Sequence, residues 1–286
     1  MSTSNGYQPR IKRRDRCLEV RGINYHLSEW GDRQAPLLVY LHGWADTGAT
    51  FQFVVDALEH EWRIVAPDWR GFGDSGRSVS SYWFPDYLAD LDELLNHLSP
   101  NDPVRIVGHS MGANVAGLYA GTMPERVAAF VNIEGFGLRD SDPADAPGRY
   151  RAWIERSRAA ESFSTYKSFD HLGSRIRQRN PRMTGAQANF VARCWAVEDD
   201  DGVVHLRADP LHKLPNPVLY RQSEAAACWS GITAPLLLVC GSDSEFRNQP
   251  FSDVPAVEID LSGHMLHFEA PGELAHAIET FLRNTL

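Results

Sequence analysis

Nine residues, Val104-Arg-Ile-Val-Gly-His-Ser-Met-Gly112, restrict the possible folds of this chain more than any other segment. An apolar run enters Gly108-His109-Ser110-Met111-Gly112 and passes at once into Met111 to Ala120. There Ala113, Val115, Ala116, Gly117 and Ala120 make a helical pattern that is small and apolar nearly all round, as in a helix buried against a sheet. G-x-S-x-G between strand and helix is a nucleophile elbow. Its central residue takes a strained backbone conformation, so the residues two positions to either side must lack a Cβ. The serine hydroxyl then projects at a helix N-terminus, where free N–H groups and the helix dipole favour negative charge. A pentapeptide alone would also fit a plain turn serine; the flanking strand and helix argue for the elbow.

Short apolar runs alternate with helical patterns along the chain, which predicts a mostly parallel sheet with helices on both faces. Leu37 to Leu41, Arg63 to Ala66, Val104 to Val107, Ala128 to Ile133 and Leu236 to Cys240 read as buried strands. Each is followed by Gly, His, Asp or Glu, so polar groups gather at the carboxyl edge, where open α/β sheets bind ligands. The more alternating CLEVRGINYHLSEWG predicts an antiparallel hairpin at the sheet's edge. Leucines at 88, 91, 94, 95 and 98 form one face of a helix opened by Pro85, and Leu274, Ile278, Phe281 and Leu282 repeat that spacing after Pro271. From 139 to 230 the strand signals give way to Pro, Arg and aromatic residues. A predominantly helical cap, inserted between the fifth and sixth core strands over the carboxyl edge, is the simplest account. The expected division is a flexible tail over 1–16, a core over 17–138 and 231–286, and the cap over 139–230.

Composition narrows the function classes. A chain of 286 residues with 43% hydrophobic and 23% charged residues can bury a full core. Its net charge of −9 argues against nucleic-acid binding, and Lys12-Arg13-Arg14 reads as a solvated patch. Cys17, Cys194, Cys228 and Cys240 lack metal or redox spacing, so free thiols in a reducing compartment are expected. No signal peptide or membrane-length apolar run is visible, which points to a cytoplasmic protein without a membrane partner. The insert carries 12 arginines and a formal charge of +2 over a negative body, which favours anionic acyl substrates.

Two further motifs complete a site. His42-Gly43-Trp44 follows the first buried strand. A sharp turn there can present the N–H of Trp44, alongside that of Met111, to a tetrahedral oxyanion, although a strand-ending turn with a packing tryptophan would read the same way. His42 is expected to be a structural hydrogen-bonder. In Leu261-Ser-Gly-His264, on a late loop, His264 is the best-placed imidazole to take the serine proton. His267 is expected to be a core or surface residue.

The order HGW, DWRGFGDSG (68–76), GHSMG and SGHMLHFEAP resembles the α/β-hydrolase superfamily over residues 20 to 286. The insert, through YKSFDHL, WAVEDDDG and HLRADPLHK, is similar to the serine hydrolase-like group. The resemblance implies a Ser-His-acid triad, no cofactor or metal, and a supporting role for the 68–76 loop. Most relatives place the acid three residues after the glycine that ends the LLLVC strand. Here that position is Ser244, with Asp243 one residue early and Glu245 one late. Glu134, after the preceding strand, is favoured, since some relatives carry the acid there and an unpaired buried carboxylate would be costly. Asp243 is the alternative, with Glu245 or an acid-free dyad behind it; pairing of Glu134 with a cap arginine such as Arg139 is the non-catalytic reading.

The expected function is cofactor-free hydrolysis of a small-molecule acyl substrate, a carboxylic ester first. Thioester, lactone, amide or C–C hydrolysis, perhydrolase or acyltransferase chemistry, and a silent binding protein stay open. Haloalkane dehalogenases and epoxide hydrolases use aspartate at the elbow, which Ser110 does not provide. Trp153, Trp195, Trp229, Phe163, Phe169 and Tyr166 are candidates to line a pocket or to pack the cap.

Overall fold

Residues 6–79, 81–159, 161–244, 254 and 256–283 are described by the structure, a computed structural model. Its strands are β1 (Arg14–Val20), β2 (Ile23–Trp30), β3 (Leu37–Leu41), β4 (Arg63–Pro67), β5 (Val104–His109), β6 (Val127–Ile133), β7 (Ala196–Glu198), β8 (Val204–Leu206), β9 (Leu236–Gly241) and β10 (Ala256–Ile259). The helices are α1 (Gln52–Ala57), α2 (Phe84–Leu98), α3 (Met111–Thr122), α4 (Ala146–Arg156), α5 (Phe169–Arg179), α6 (Gly185–Trp195), α7 (Gln222–Trp229), α8 (Leu266–Glu269) and α9 (Pro271–Arg283).

Eight strands form one sheet in the order β1-β2-β4-β3-β5-β6-β9-β10. The N-terminal hairpin is antiparallel, and β2 pairs antiparallel with β4; every other pairing is parallel. Arg21 and Gly22 join β1 to β2 with φ of 47° and 76°, the double positive φ of a two-residue hairpin turn whose twist suits the strands. On one face, the leucine stripe of α2 packs with Val115, Ala116 and Tyr119 of α3. On the other, Val54 and Val55 of α1 meet Leu274, Ile278 and Leu282 of α9. Each fully buried leucine in these layers contributes about 2 kcal/mol.

The insert enters between β6 and β9, the sixth and seventh strands of the sheet in chain order, one later than expected. The hairpin supplies two full strands ahead of the buried runs, which shifts the count. Within the insert, α5 and α6 bury Leu172, Ile176, Ala188 and Val191 against Phe53 and Phe268 of the body. Two short strands, β7 and β8, were not anticipated there; they pair antiparallel around a turn with Gly202 at φ 78°. Backbone bonds from Gly73 N–H to Arg207 and from Asp209 N–H to Gly71 tie the insert to the loop after β4.

The N-terminal segment also differs from expectation. Strand β1 starts at Arg14, inside the stretch read as tail. Ahead of it, the Tyr7 hydroxyl donates to Asp56 at 2.6 Å and Ile11 N–H to the same carboxylate at 2.8 Å, so α1 supplies polar partners that composition does not advertise. Among the described residues, no helix is long and apolar enough to cross a membrane.

Candidate active site

Ser110 stands between β5 and α3 with φ 50° and ψ −114°, a conformation costly for a residue with a Cβ and typical of functional turns. Glycine is needed on both sides. A Cβ on Gly108 would come within 2.6 Å of Ala113 Cα, and one on Gly112 within 2.2 Å of the Leu41 carbonyl oxygen. Gly43 is equally confined, because its Cβ would lie 2.9 Å from His109 Nδ1 and 3.2 Å from Ser110 Cβ. The HGW turn therefore presses directly against the elbow. Among the described residues, no protein group accepts the N–H of Trp44 or of Met111.

His264, on the loop after β10, brings Nε2 to 3.1 Å from Ser110 Oγ. Its Nδ1 lies 3.3 Å from Oε2 of Glu134. Glu134 directly follows β6 with φ 58°, a second strained residue at the same sheet edge. Its buried carboxylate also accepts the Gly241 N–H at 2.8 Å on Oε1 and the Ser244 hydroxyl at 2.5 Å on Oε2. Held by these two donors, the carboxylate faces His264 so that the ring carries its proton on Nδ1 and turns its lone pair toward Ser110.

The structure thus brings together Ser110, His264 and Glu134, and leaves Asp243 elsewhere. The Asp243 carboxylate is half exposed and ion-paired with Arg182 of the insert. Glu245 lies outside the described residues. Ser244, legible in the sequence only as a missing acid, is a donor to the carboxylate one strand away. Gly241, read as a strand end, adds its amide to that carboxylate.

His42 has both nitrogens engaged: Nδ1 donates to the Gly43 carbonyl at 2.7 Å and Nε2 accepts the Trp69 N–H at 2.8 Å. Burial lowers its pKa, in keeping with a neutral structural residue. His267 is fully buried and pairs through Nε2 with Asp46 at 3.0 Å. Asp46 also accepts from Thr50 at 2.8 Å and from Trp195 of the insert at 2.7 Å. Burial alone would raise the Asp46 pKa, but the bond and charge of His267 lead a set of partners that pull it down to about 2. His109, the variable residue of the elbow motif, was not singled out in the sequence. It bonds through Nε2 to the His264 carbonyl at 2.8 Å, and burial first, then the neighbouring imidazoles, push its pKa well down.

Two clusters among the described residues have metal-ligand chemistry: Asp46, His109 and His267, and His26, Asp68 and Asp74. In the first, the Asp46 carboxylate and His267 Nε2 already bond to each other, while Nδ1 of His109 and Nδ1 of His267 are buried without a hydrogen-bond partner among the described residues. His26 sits between Asp68 at 2.9 Å and Asp15 at 3.1 Å, and Asp68 accepts the Gly48 N–H at 2.8 Å. The second cluster buttresses the 68–76 loop, as expected of that segment.

A cavity of about 140 Å³ adjoins the elbow and includes Trp44, Met111 and Trp153 in its walls. A larger one of about 590 Å³ lies among Lys12, His26, Asp68 and Arg193 and includes no residue of the Ser110 site. Of the other aromatic candidates, Phe163 lies 6.3 Å from Trp44, Phe169 beneath the Arg193 guanidinium, and Tyr166 bridges to Val204. Trp229 packs over Gly117 and Gly137 of the body.

Comparison with known proteins agrees with this architecture. The family profile described as alpha/beta hydrolase fold matches residues 36–271. A serine hydrolase-like protein of Danio rerio is 27% identical over 274 residues, covering 89% of this chain and 83% of that protein. Epoxide hydrolase 2 of Siraitia grosvenorii is 35% identical over 309 residues, covering 93% of this chain and 97% of its own. Among solved structures, a thioesterase domain from the curacin biosynthetic pathway superimposes with a TM-score of 0.85 at 24% identity, over 94% of this chain and 99% of that one; it speaks to the fold alone. Sheet order, elbow and matched segment all agree: the chain belongs to the α/β-hydrolase family.

Proposed function

We propose that the chain is a cofactor-free serine hydrolase that cleaves an acyl bond, with a carboxylic ester as its substrate class. One observation carries the reading: the continuous hydrogen-bond path from Ser110 Oγ through His264 to Glu134, at 3.1 and 3.3 Å, anchored at both ends on strained backbone. Ser110 Oγ attacks the acyl carbon while His264 Nε2 takes its proton. Glu134 stabilises the imidazolium, and the Trp44 and Met111 amides receive the oxyanion. His264 returns the proton to the leaving alkoxide; water, activated by the same imidazole, then releases the acid and restores the serine.

The epoxide hydrolase among the relatives raises a second chemistry, which the nucleophile disfavours. A carboxylate that opens an epoxide forms an ester, which water can cleave, whereas a serine hydroxyl would form an ether and stop. Hydrolysis of 4-nitrophenyl acetate tests the proposal. Wild-type protein should turn over the ester, and Ser110→Ala and His264→Ala should each lose at least about 10³-fold in kcat/KM. Equal turnover by wild type and Ser110→Ala would remove Ser110 as the nucleophile, and no turnover above background by wild type would leave a binding protein on a hydrolase scaffold.

A further inference from the structure

We propose that the cavity beside Trp44 and Met111 is an acyl subsite selective for a small, uncharged aromatic acyl group whose ring substituent donates a hydrogen bond to His212. This rests on the acyl-transfer reading above and adds the substrate class to it. The cavity holds about 140 Å³, and an apolar cavity of about 150 Å³ in another protein accepts benzene. Its walls include Tyr82, Trp83 and Trp153, and it shares Trp44 and Met111 with the oxyanion position. Among the described residues no Asp, Glu, Lys or Arg lines it. The arginine excess of the insert therefore does not reach the acyl position, and an anionic acyl chain would find no counter-charge there. A long linear chain would outrun the space.

His212 supplies the polar contact. Its ring lies between Phe72 and Tyr82, with centroids at 3.8 and 3.6 Å and interplanar angles of 10° and 20°. Nε2 donates to the Arg70 carbonyl at 3.1 Å, which leaves Nδ1 as an acceptor without a hydrogen-bond partner among the described residues. Burial, ahead of its other influences, lowers the His212 pKa to about 4, so the imidazole is neutral in ordinary buffers and accepts a proton donor without attracting an anion. Tyr82 is held in turn by its hydroxyl bond to Asp209 at 2.8 Å, which fixes the stack.

The test compares methyl esters, so that the leaving group is constant, by chromatographic assay of the released acid. Methyl benzoate should exceed methyl octanoate and monomethyl succinate by at least tenfold in kcat/KM, with methyl 4-hydroxybenzoate higher still. His212→Phe preserves a stacked ring and should lower the ratio of 4-hydroxybenzoate to benzoate five- to tenfold. Preference for octanoate or succinate, or a ring preference shown by phenyl acetate alone, would overturn the subsite. Methyl acetate turnover and fluorophosphonate labelling separate the two levels. If both occur without aryl preference, the subsite falls and the hydrolase reading stands; if both fail, that reading falls. Saturation-transfer NMR of 4-hydroxybenzamide against succinamate on the Ser110→Ala protein reads the subsite without turnover, and no preference for the amide with the ring would overturn it.

Discussion

Substituting glutamine for Glu134 probes the least conventional part of the site. The carboxylate makes three contacts: the Gly241 amide at 2.8 Å, the Ser244 hydroxyl at 2.5 Å and His264 Nδ1 at 3.3 Å. Glutamine offers one oxygen and one NH₂. With the oxygen kept on the Gly241 amide, the NH₂ faces His264 Nδ1, so the imidazole must turn its lone pair to residue 134 and its proton toward Ser110. That tautomer has no base for the serine. The flipped amide instead leaves the buried Gly241 N–H facing an NH₂, at about 1–3 kcal/mol. An acid-to-amide change in a comparable triad lowers kcat by about 10⁴. Glu134→Gln should therefore lose about 10³–10⁴ in kcat/KM, or about 4–5.5 kcal/mol at about 1.36 kcal/mol per tenfold. The assay is ester hydrolysis on protein whose fold is verified by circular dichroism, with Asp243→Asn in parallel. Asp243 is half exposed and bound to Arg182, so its variant should stay within about threefold of wild type. A loss of about 10² or more in Asp243→Asn, with Glu134→Gln near wild type, would refute the assignment.

Other outcomes follow from the same structure. Gly112→Ala sets a Cβ 2.2 Å from the Leu41 carbonyl oxygen, so thermal melting should show a loss of about 2–3 kcal/mol or a failure to fold. Gly43→Ala meets an imidazole and Ser110 Cβ at 2.9 and 3.2 Å; kcat should drop about tenfold or more while the melting temperature moves little. The Asp46 pKa is lower folded, at about 2, than its ordinary 3.8, so its stabilisation is present above about pH 4 and lost as pH falls toward 2. Asp46→Asn should accordingly cost about 2 kcal/mol at pH 7 by denaturant unfolding, and the variant's stability should change less than wild type's between pH 4 and 2.

The parts legible from sequence were those set by local rules. Glycines at 108 and 112 announce a turn that excludes a Cβ, and the leucine stripe of α2 announces a buried face; both are statements about near neighbours in the chain. The late-loop histidine was legible because Gly263-His264 follows a strand-like run. What escaped depends on contacts across the chain. That Ser244 donates to a carboxylate 110 residues earlier follows from β6 and β9 lying side by side, which no spacing in the sequence encodes. The pairing of His267 with Asp46 spans 221 residues, and the bond from His109 to the His264 carbonyl spans 155, so neither imidazole could be given a partner in advance. The β7–β8 ribbon is hard to see in the sequence because three-residue strands carry too little alternation to register, and the Asp201-Gly202 turn is its one local sign.

Intact-protein mass spectrometry after exposure to a fluorophosphonate addresses the central claim most directly, since only an activated serine reacts quickly. A single phosphonyl adduct mapped to the peptide containing Ser110, absent in Ser110→Ala and formed far more slowly in His264→Ala, is the expected result. An unlabelled wild-type protein, or an adduct on another residue with Ser110 untouched, would contradict the account.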